Sequence, residues 1–372
     1  MAGKASTLNS PHLQRVDYLI VGQGLAGSLL AWELSNKGCR IIVVDNGAIN
    51  ASQIAAGLIN PITGMRLVKN SDIDFLLPAA KKFYQSLTLF FKKQFLVEKP
   101  MLRILRNQQE KQYGKKRMAD PDYQPYLSEL DFKIDGINLS ATTGILQQKQ
   151  TGYLQTQLLL AEIKQYLRQS DRYIKTKFDY QELKIQTNHI QWRNIKTSKI
   201  IFCEGYLGMN NPWFSWLPFN PVKGEILTLA CQHPFTDYLL NYGFWLLPSE
   251  NNTLRTGATY DREQIDTLAT TQAKNSLLQA LTRYVPAISA NPHVTNHQAQ
   301  IRPATLDKHP FLGCHPKHPK LCIFNGFGSK GSLQIPWYVI SFSEYLINSA
   351  PLPKRANIDR YHEKYFSVSQ NF

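Results

Sequence analysis

The sequence predicts an α/β chain, α+β overall, in which a largely parallel sheet is interleaved with an antiparallel one. Three observations carry this expectation. Short apolar runs rich in β-branched residues, 16–21 (VDYLIV), 40–45 (RIIVVD) and 199–203 (KIIFC), read as strands buried on both faces. The first two flank a helical spacing of Leu25, Leu29, Leu30, Trp32 and Leu34 that Gly38 ends, which makes one βαβ unit. Between 221 and 259 the pattern changes to VKGEILTLAC, FWLLPS and LRTGATY, strand-like pieces separated by turns, as in an antiparallel sheet.

The remaining elements follow the same periodicities. Residues 75–95 mix apolar and Lys residues at helical spacing and read as one or two helices. Residues 107–126 are polar, with Gly114, Pro121 and Pro125, and read as an exposed excursion. Residues 151–167 place Leu154, Leu158, Leu159, Ile163 and Leu167 on one side of a helix, and 268–284 reads as another. Residues 321–324 (LCIF) form a strand, followed by glycines and a helix over 333–347. The first fifteen residues lack the apolar core of a signal peptide and read as a frayed tail, so the chain is expected in the cytoplasm.

Composition excludes several classes. At 372 residues, 43 % hydrophobic and 19 % charged, the chain is neither disordered, collagen-like nor a disulfide-dense secreted module. No apolar run reaches the ~18–20 residues that span a bilayer. The cysteines are Cys39, Cys203, Cys231, Cys314 and Cys322, odd in number and without CxxC spacing, so no disulfide framework, zinc site or other metal site is expected. The net charge of +15 admits nucleic acid, an anionic membrane surface or an anionic substrate. Within 81–117 eleven Lys/Arg stand against Glu98 and Glu110, which concentrates +9 of that excess in one stretch. This stretch is either a solvated face or a footprint for a polyanion.

The segment Gly22-Gln23-Gly24-Leu25-Ala26-Gly27 matches GxGxxG between the first strand and its helix. The first glycine permits the tight turn, the second lets backbone approach a pyrophosphate, and the third lets helix and strand pack closely. The pyrophosphate would sit on the free N–H groups of the helix N-terminus. Asp45, eighteen residues after Gly27, stands where a ribose hydroxyl is accepted and would repel the 2′-phosphate of NADP. This reads as a Rossmann-like domain for FAD or NAD. The small residues of 51–66 (ASQIAAGLINPITGMR) let backbone pass a bulky ligand, and 325–332 (NGFGSKGS) places glycines directly before a helix, whose N-terminus favours negative charge. Both features favour the flavin.

At this point the chain resembles the D-amino-acid oxidase family of FAD enzymes, which includes glycine oxidase and sarcosine oxidase. The resemblance rests on order and spacing. AAGLINP (55–61) is similar to AAGLWQP, Gly152-Tyr153-Leu154 to the start of GYVDP, and 200–205 to VVxAxG. Residues 221–225 resemble PVRGQ, Leu247-Pro248 with Gly257-Ala258-Thr259 resembles LVP…GAT, and 301–307 (IRPATLD) resembles LRPxTxD. The resemblance implies an FAD-binding domain of 14–85, 146–218 and 301–350, an antiparallel substrate domain of 86–145 and 219–300, and a tail of 351–372. It implies hydride transfer to flavin N5 from a carbon bearing an amine, with a small amino acid or N-substituted amino acid as substrate. Arg302 would grip the substrate carboxylate, Tyr242 and Trp245 would be pocket aromatics, and Lys330 with the following helix N-terminus would stabilise the reduced flavin. Arg66 would reach a phosphate or the substrate. The implied cofactor contacts are Gly22, Gly24, Leu25, Ala26, Gly27, Asp45, Ala55, Ala56, Gly57, Leu58, Phe178, Glu204, Gly205, Gly326, Gly328, Ser329, Lys330, Gly331 and Ser332.

Two departures matter. The cysteine that carries covalent flavin in sarcosine-oxidase relatives falls near Gln300 here, so the FAD is expected to be non-covalent, and an arginine of the glycine-oxidase late loop falls near Ser329. The late segment GFGSKGSLQIP (326–336) also resembles GHGSRGLxxAP in the oxidase domain of the bifunctional tRNA 5-methylaminomethyl-2-thiouridine biosynthesis protein. That resemblance implies an alternative substrate, a carboxymethyl-modified wobble uridine of tRNA. The sequence leaves oligomeric state open.

Overall fold

The computed structural model describes residues 13–130, 134, 136–230, 237–249, 252–289 and 293–366. The chain divides into two compact units, one of residues 1–53, 156–221 and 302–372, the other of 54–155 and 222–301. The first exchange between units therefore falls at 53/54 and not at the expected 85/86. The helix Ile73–Phe91, a single helix, packs against the strand Leu96–Glu98 and travels with it. Cys231 lies outside the described residues, as do residues 1–12 of the expected frayed tail.

The first unit is built on parallel strands in the order Tyr173–Lys175, Ile41–Asp45, Gln14–Val21, Ile195–Phe202 and Leu321–Asn325. All but Tyr173–Lys175 are the apolar runs of the sequence, and Leu19, Ile20, Val43, Ile200 and Ile201 are fully buried. Helices Thr156–Gln169 and Gly331–Asn348 each pack on Leu25–Asn36, and Tyr18 reaches across to donate to the Leu346 carbonyl. A second core gathers Phe178, Trp192, Phe202, Phe214 and Phe311. The strand Phe311–Cys314 pairs antiparallel with Leu321–Asn325, which sets Cys314 opposite Cys322, and the structure joins the two sulfurs. This corrects the expectation of no disulfide: cysteines eight residues apart meet because a hairpin folds between them.

The described part of 351–372 is not a loose tail. Ala356 and Ile358 are fully buried, and Arg360 donates to Asp307 at 3.0 Å and to the Pro310 carbonyl at 3.0 Å, strapping the segment after Arg302. Burial raises the Asp307 carboxyl, but the hydrogen bonds from Arg360 and the His309 N–H outweigh it and hold the group below its ordinary value.

The second unit carries an eight-stranded sheet. Its order is His293–Arg302, Val222–Ala230, Thr253–Gly257, Trp245–Ser249, Leu239–Asn241, Met101–Leu105, Gly144–Gln148 and Leu127–Glu129. Strand alternation sorts its residues into two faces. Leu102, Leu227, Leu240, Leu246 and Leu254 face the helix Thr271–Tyr284 and form one core with Leu277 and Leu281. Met101, Arg103, Leu239, Asn241, Trp245, Leu247 and Arg255 lie on the opposite face.

The expected exposed excursion at 107–126 is instead a helix, Gln108–Met118, followed by a short turn at Pro121–Tyr123. The Asn107 side chain caps it by accepting from Glu110 N. Glu110 is buried, accepts from the Arg106 backbone N–H at 3.0 Å and pairs with the Arg106 guanidinium. A polar sequence hides this helix because the buried side is only Glu110 and Gly114, and Gly114 packs against Leu146.

Candidate active site

In the first unit, four segments named by the sequence leave the carboxyl ends of neighbouring parallel strands, where open α/β sheets bind ligands. Gly22 has φ +103°, and a Cβ there would stand 2.5 Å from the Cys203 carbonyl oxygen. A Cβ at Gly27 would stand 2.0 Å from the Gly22 carbonyl oxygen, so the helix seats only because both positions are glycine. The helix begins at Leu25 with Gly24 as an N-cap that offers no side-chain cap. The Leu25 N–H is met by Ser52 Oγ at 3.0 Å. Asp45 is pinned by the backbone N–H groups of Gln23 at 2.9 Å and Gly47 at 2.7 Å.

The other two segments are joined directly. Asn325 Nδ2 donates to the Gly205 carbonyl at 2.8 Å, and Gly326 N donates to Asn325 Oδ1. Gly328 N donates to the Pro303 carbonyl at 3.1 Å, which ties the late glycine loop to the residue after Arg302. Gly326 (φ +84°) and Gly328 (φ +53°) supply the left-handed turns, and the helix Gly331–Asn348 starts at Lys330 without a side-chain cap. Arg302 and Lys330 thus flank one loop, and Arg302 is half-buried.

The geometry fits a dinucleotide. A glycine cradle, an N-terminus without its own side-chain cap and an oriented acid occupy the places that a pyrophosphate and a ribose need. The side chains of two residues named by the sequence are engaged within the unit. The Phe178 ring is stacked on Trp192 at 4.9 Å within the core. The Glu204 carboxylate accepts from Tyr180 Oη at 2.5 Å and Asn211 Nδ2 at 2.8 Å, and burial raises its pKa despite those bonds.

In the second unit, Gly57 has φ +69°, and a Cβ there would meet the Leu154 carbonyl at 2.1 Å. Leu154 N donates back to the Gly57 carbonyl at 2.9 Å, which locks the 55–58 segment beside 152–154. Ala56, Leu58, Tyr153 and Trp245 pack around Met101, Leu239 and Leu247. Trp245 is half-buried there. Tyr242 is not beside it. Its ring lies in the core of the opposite face, 1 % exposed, and its hydroxyl pairs with Thr256 Oγ1 at 2.6 Å. Gly243 and Phe244 separate Tyr242 from the strand Trp245–Ser249, and tertiary packing gave the two aromatics opposite faces.

Arg255, an arginine inside LRTGATY, is half-buried on the Trp245 face and donates to the Ile54 and Ala55 carbonyls. Arg66 is exposed at the tip of the hairpin formed by Ile62–Thr63 and Val68–Lys69.

The basic stretch 81–117 is not one face. Arg103 is buried against Asn241 and Glu110, Arg106 pairs with Glu110, and Lys81 pairs with Glu98. Lys82, Lys92, Lys93, Lys115 and Lys116 are exposed. Among the described residues no helix is long and apolar enough to cross a membrane, and no group of three His, Cys, Asp or Glu gathers as a metal site requires.

Comparison with known proteins follows this geometry. Over 137 residues the chain is 26 % identical to the glycine oxidase of Pseudomonas putida, covering 37 % of each chain. Over 363 residues it is 22 % identical to the tRNA 5-methylaminomethyl-2-thiouridine biosynthesis bifunctional protein MnmC of Marinobacter nauticus, covering 88 % of this chain and 55 % of that protein. The chain thus spans well under two thirds of either relative's length. The crystal structure of glycine oxidase from Geobacillus kaustophilus superposes with a TM-score of 0.78 at 19 % identity, covering 91 % of this chain and 96 % of that one. The model of the DAO family, described as FAD dependent oxidoreductase, matches residues 17–338, and the chain belongs to that family.

Proposed function

We propose that this FAD-dependent oxidoreductase oxidises the C–N bond of a small amino acid or N-substituted amino acid. The observation that carries the proposal is Arg302, half-buried beside the late glycine loop through the Gly328–Pro303 hydrogen bond. A guanidinium there binds a carboxylate bidentately and so fixes which carbon of the substrate is presented. The glycine oxidases among the relatives and structural neighbours support the substrate class.

Bound FAD supplies the two-electron acceptor for the substrate C–H. Within the first unit, the cradle of Gly22, Gly24, Leu25, Ala26 and Gly27 would hold its pyrophosphate, Asp45 its ribose, and 204–205 and 326–332 more of its length. The binding is non-covalent. In the second unit Trp245, Ala56, Leu58 and Tyr153 pack as one apolar cluster, which would keep water from a group bound against it. The N-terminus of the helix Gly331–Asn348, with Lys330 at its cap, favours negative charge on the bound cofactor.

A second reading is favoured by the alignment with MnmC, which covers 88 % of the chain. In that reading the amine is part of a modified tRNA nucleotide and the exposed Lys92, Lys93, Lys115 and Lys116 meet its phosphates. Anaerobic titration of the FAD-loaded protein separates the two. Bleaching of the flavin by glycine, sarcosine, proline or D-amino acids supports the first reading, and bleaching only by undermodified tRNA supports the second. Replacing the four lysines by glutamate would slow the tRNA reaction at least tenfold and leave amino-acid turnover within about twofold. A protein that takes up no FAD would sink both readings.

A further inference from the structure

The disulfide of the first unit joins two cysteines in unequal surroundings. Cys314 and Cys322 stand directly opposite each other at the turn end of their hairpin. Cys322 is fully buried, because its strand also pairs with Ile195–Phe202 on the other side. Cys314, on the strand outside it, is half-buried. Lys199 Nζ donates to the Cys314 sulfur at 3.7 Å and to the Pro319 carbonyl at 3.3 Å. Burial, with Lys320 adding to it, lowers the Lys199 pKa, and among the described residues no carboxylate pairs with this amine. The turn between the cysteines, 315–320 (HPKHPK), adds two lysines and two histidines and no acid. Cations beside a sulfur favour its thiolate, which is the nucleophile of thiol chemistry. Cys39 is the contrast. It too is half-buried, but burial and Asp17 raise its pKa. An accessible sulfur beside an amine, next to a buried partner sulfur, is the arrangement of a pair that opens and closes. A disulfide kept for stability alone needs neither the asymmetry nor the amine.

We propose that Cys314 and Cys322 form a reversible redox pair, a modification site that a dithiol opens and a peroxide closes, with Cys314 as the reacting sulfur and Lys199 as the positioning residue that supplies its counter-charge. On opening, a thiolate of the dithiol attacks the Cys314 sulfur. The Cys322 sulfur leaves with the electron pair of the S–S bond and takes a proton. The second thiol of the reagent then attacks the mixed disulfide, so the reagent departs as a disulfide and Cys314 is released as a thiolate beside Lys199. On closing, that thiolate attacks one peroxide oxygen, the O–O bond breaks, and the other oxygen leaves as hydroxide. Cys314 is then a sulfenic acid. The Cys322 thiol displaces its oxygen as water and the S–S bond forms again.

The test reads thiols by mass and needs no turnover. FAD-loaded protein is treated with dithiothreitol without denaturant, desalted anaerobically and pulsed with iodoacetamide, and the labelled peptides are identified. A second portion receives equimolar hydrogen peroxide before the pulse. After the dithiol, Cys314 and Cys322 should both take up label, Cys314 ahead of Cys322 and ahead of Cys39, and peroxide should protect both. Cys203, buried at the glycine cradle, should stay unlabelled and so report that the unit is folded. In Cys322→Ser, peroxide should leave Cys314 as a sulfenic acid that dimedone traps. Lys199→Met should slow the labelling of reduced Cys314 about threefold at pH 7, a tenfold loss of thiolate being offset in part by greater nucleophilicity. That difference should be lost in alkali, once both thiols are ionised, whereas a merely structural effect of the lysine would persist there. A bond that dithiothreitol opens only in denaturant or with Cys203 labelled alongside, or a reduced pair that peroxide leaves free, would overturn the proposal. Equal labelling of Cys314 in Lys199→Met and wild type at pH 7 would remove the lysine from it. If Cys322→Ser does not fold, the opening and closing of the wild-type pair decide.

Discussion

The two units confront the same task, presenting polar groups at a buried surface, with different material. The first unit uses backbone: glycines at 22, 27, 326 and 328 bring N–H groups to the ends of parallel strands, and side chains such as Asp45 are pinned by main-chain donors. The second unit uses side chains on one face of a sheet, Arg103, Asn241, Trp245 and Arg255, with the other face spent on a leucine core. The difference teaches where each is vulnerable. A backbone site fails when a Cβ is added, whereas a sheet-face site changes its selectivity one residue at a time.

The largest effect should come from the backbone site. Gly27→Val places a side chain where a Cβ alone meets the Gly22 carbonyl at 2.0 Å. The purified variant should retain under about a tenth of the FAD, judged by the ratio of visible to ultraviolet absorbance, since a displaced cradle loses several charge-assisted hydrogen bonds at once. Full retention would mean that the glycine turn does not hold the cofactor. Trp245→Ala breaks the comparison from the other side. It should keep its flavin and lose roughly 10- to 100-fold in kcat/KM, as about 1.4–2.7 kcal/mol of lost transition-state binding would give. If it instead loses FAD, the units do not divide the work as described.

A smaller effect is set by His315, in the first unit. Burial, with His318 and Lys317 adding to it, pushes this imidazole down to about 4, and Nδ1 accepts from the Lys317 and His318 N–H groups. A base whose folded pKa lies below its unfolded value binds its proton more readily when unfolded. Stability is therefore constant above about 6.5 and is lost as pH falls toward 4. At pH 5 the loss is roughly 2 kcal/mol. Thermal melts at pH 7 and pH 5 should show this drop, and His315→Asn, which keeps an acceptor, should remove most of it. An equal drop in both proteins would place the titration elsewhere. The smallest effect is Tyr242→Phe. It removes one buried hydrogen bond while Thr256 still donates to the Trp245 carbonyl, so about 1 kcal/mol of stability should go and turnover should stay near wild type. A large kinetic loss would return Tyr242 to the active site.

Legibility followed the same division. Gly22, Gly24 and Gly27 could be read because a missing Cβ is itself the structural requirement, and so could the parallel strands, whose burial on both faces leaves an unbroken apolar run. The helix Gln108–Met118 could not, because its stability comes from Asn107, Glu110 and Arg106 bonding one another and not from an apolar stripe. Tyr242 and Trp245 stand three residues apart and read alike, yet the turn through Gly243 sends them to opposite faces. Cys314 and Cys322 meet through strand register, which cysteine spacing does not encode.

The sequence by itself determined the βαβ unit, the glycine cradle and the family, because these depend on what residues at fixed local spacing allow the backbone to do. Only the tertiary structure decided which charges are counterbalanced. Of the +9 in 81–117, Arg103 and Arg106 turned inward to share Glu110, while Arg255, in a strand with no charge run, bonds the Ile54 and Ala55 carbonyls and has no acid among the described residues beside it. Compensation is a property of neighbours in space, and strand pairing across more than a hundred residues sets those neighbours.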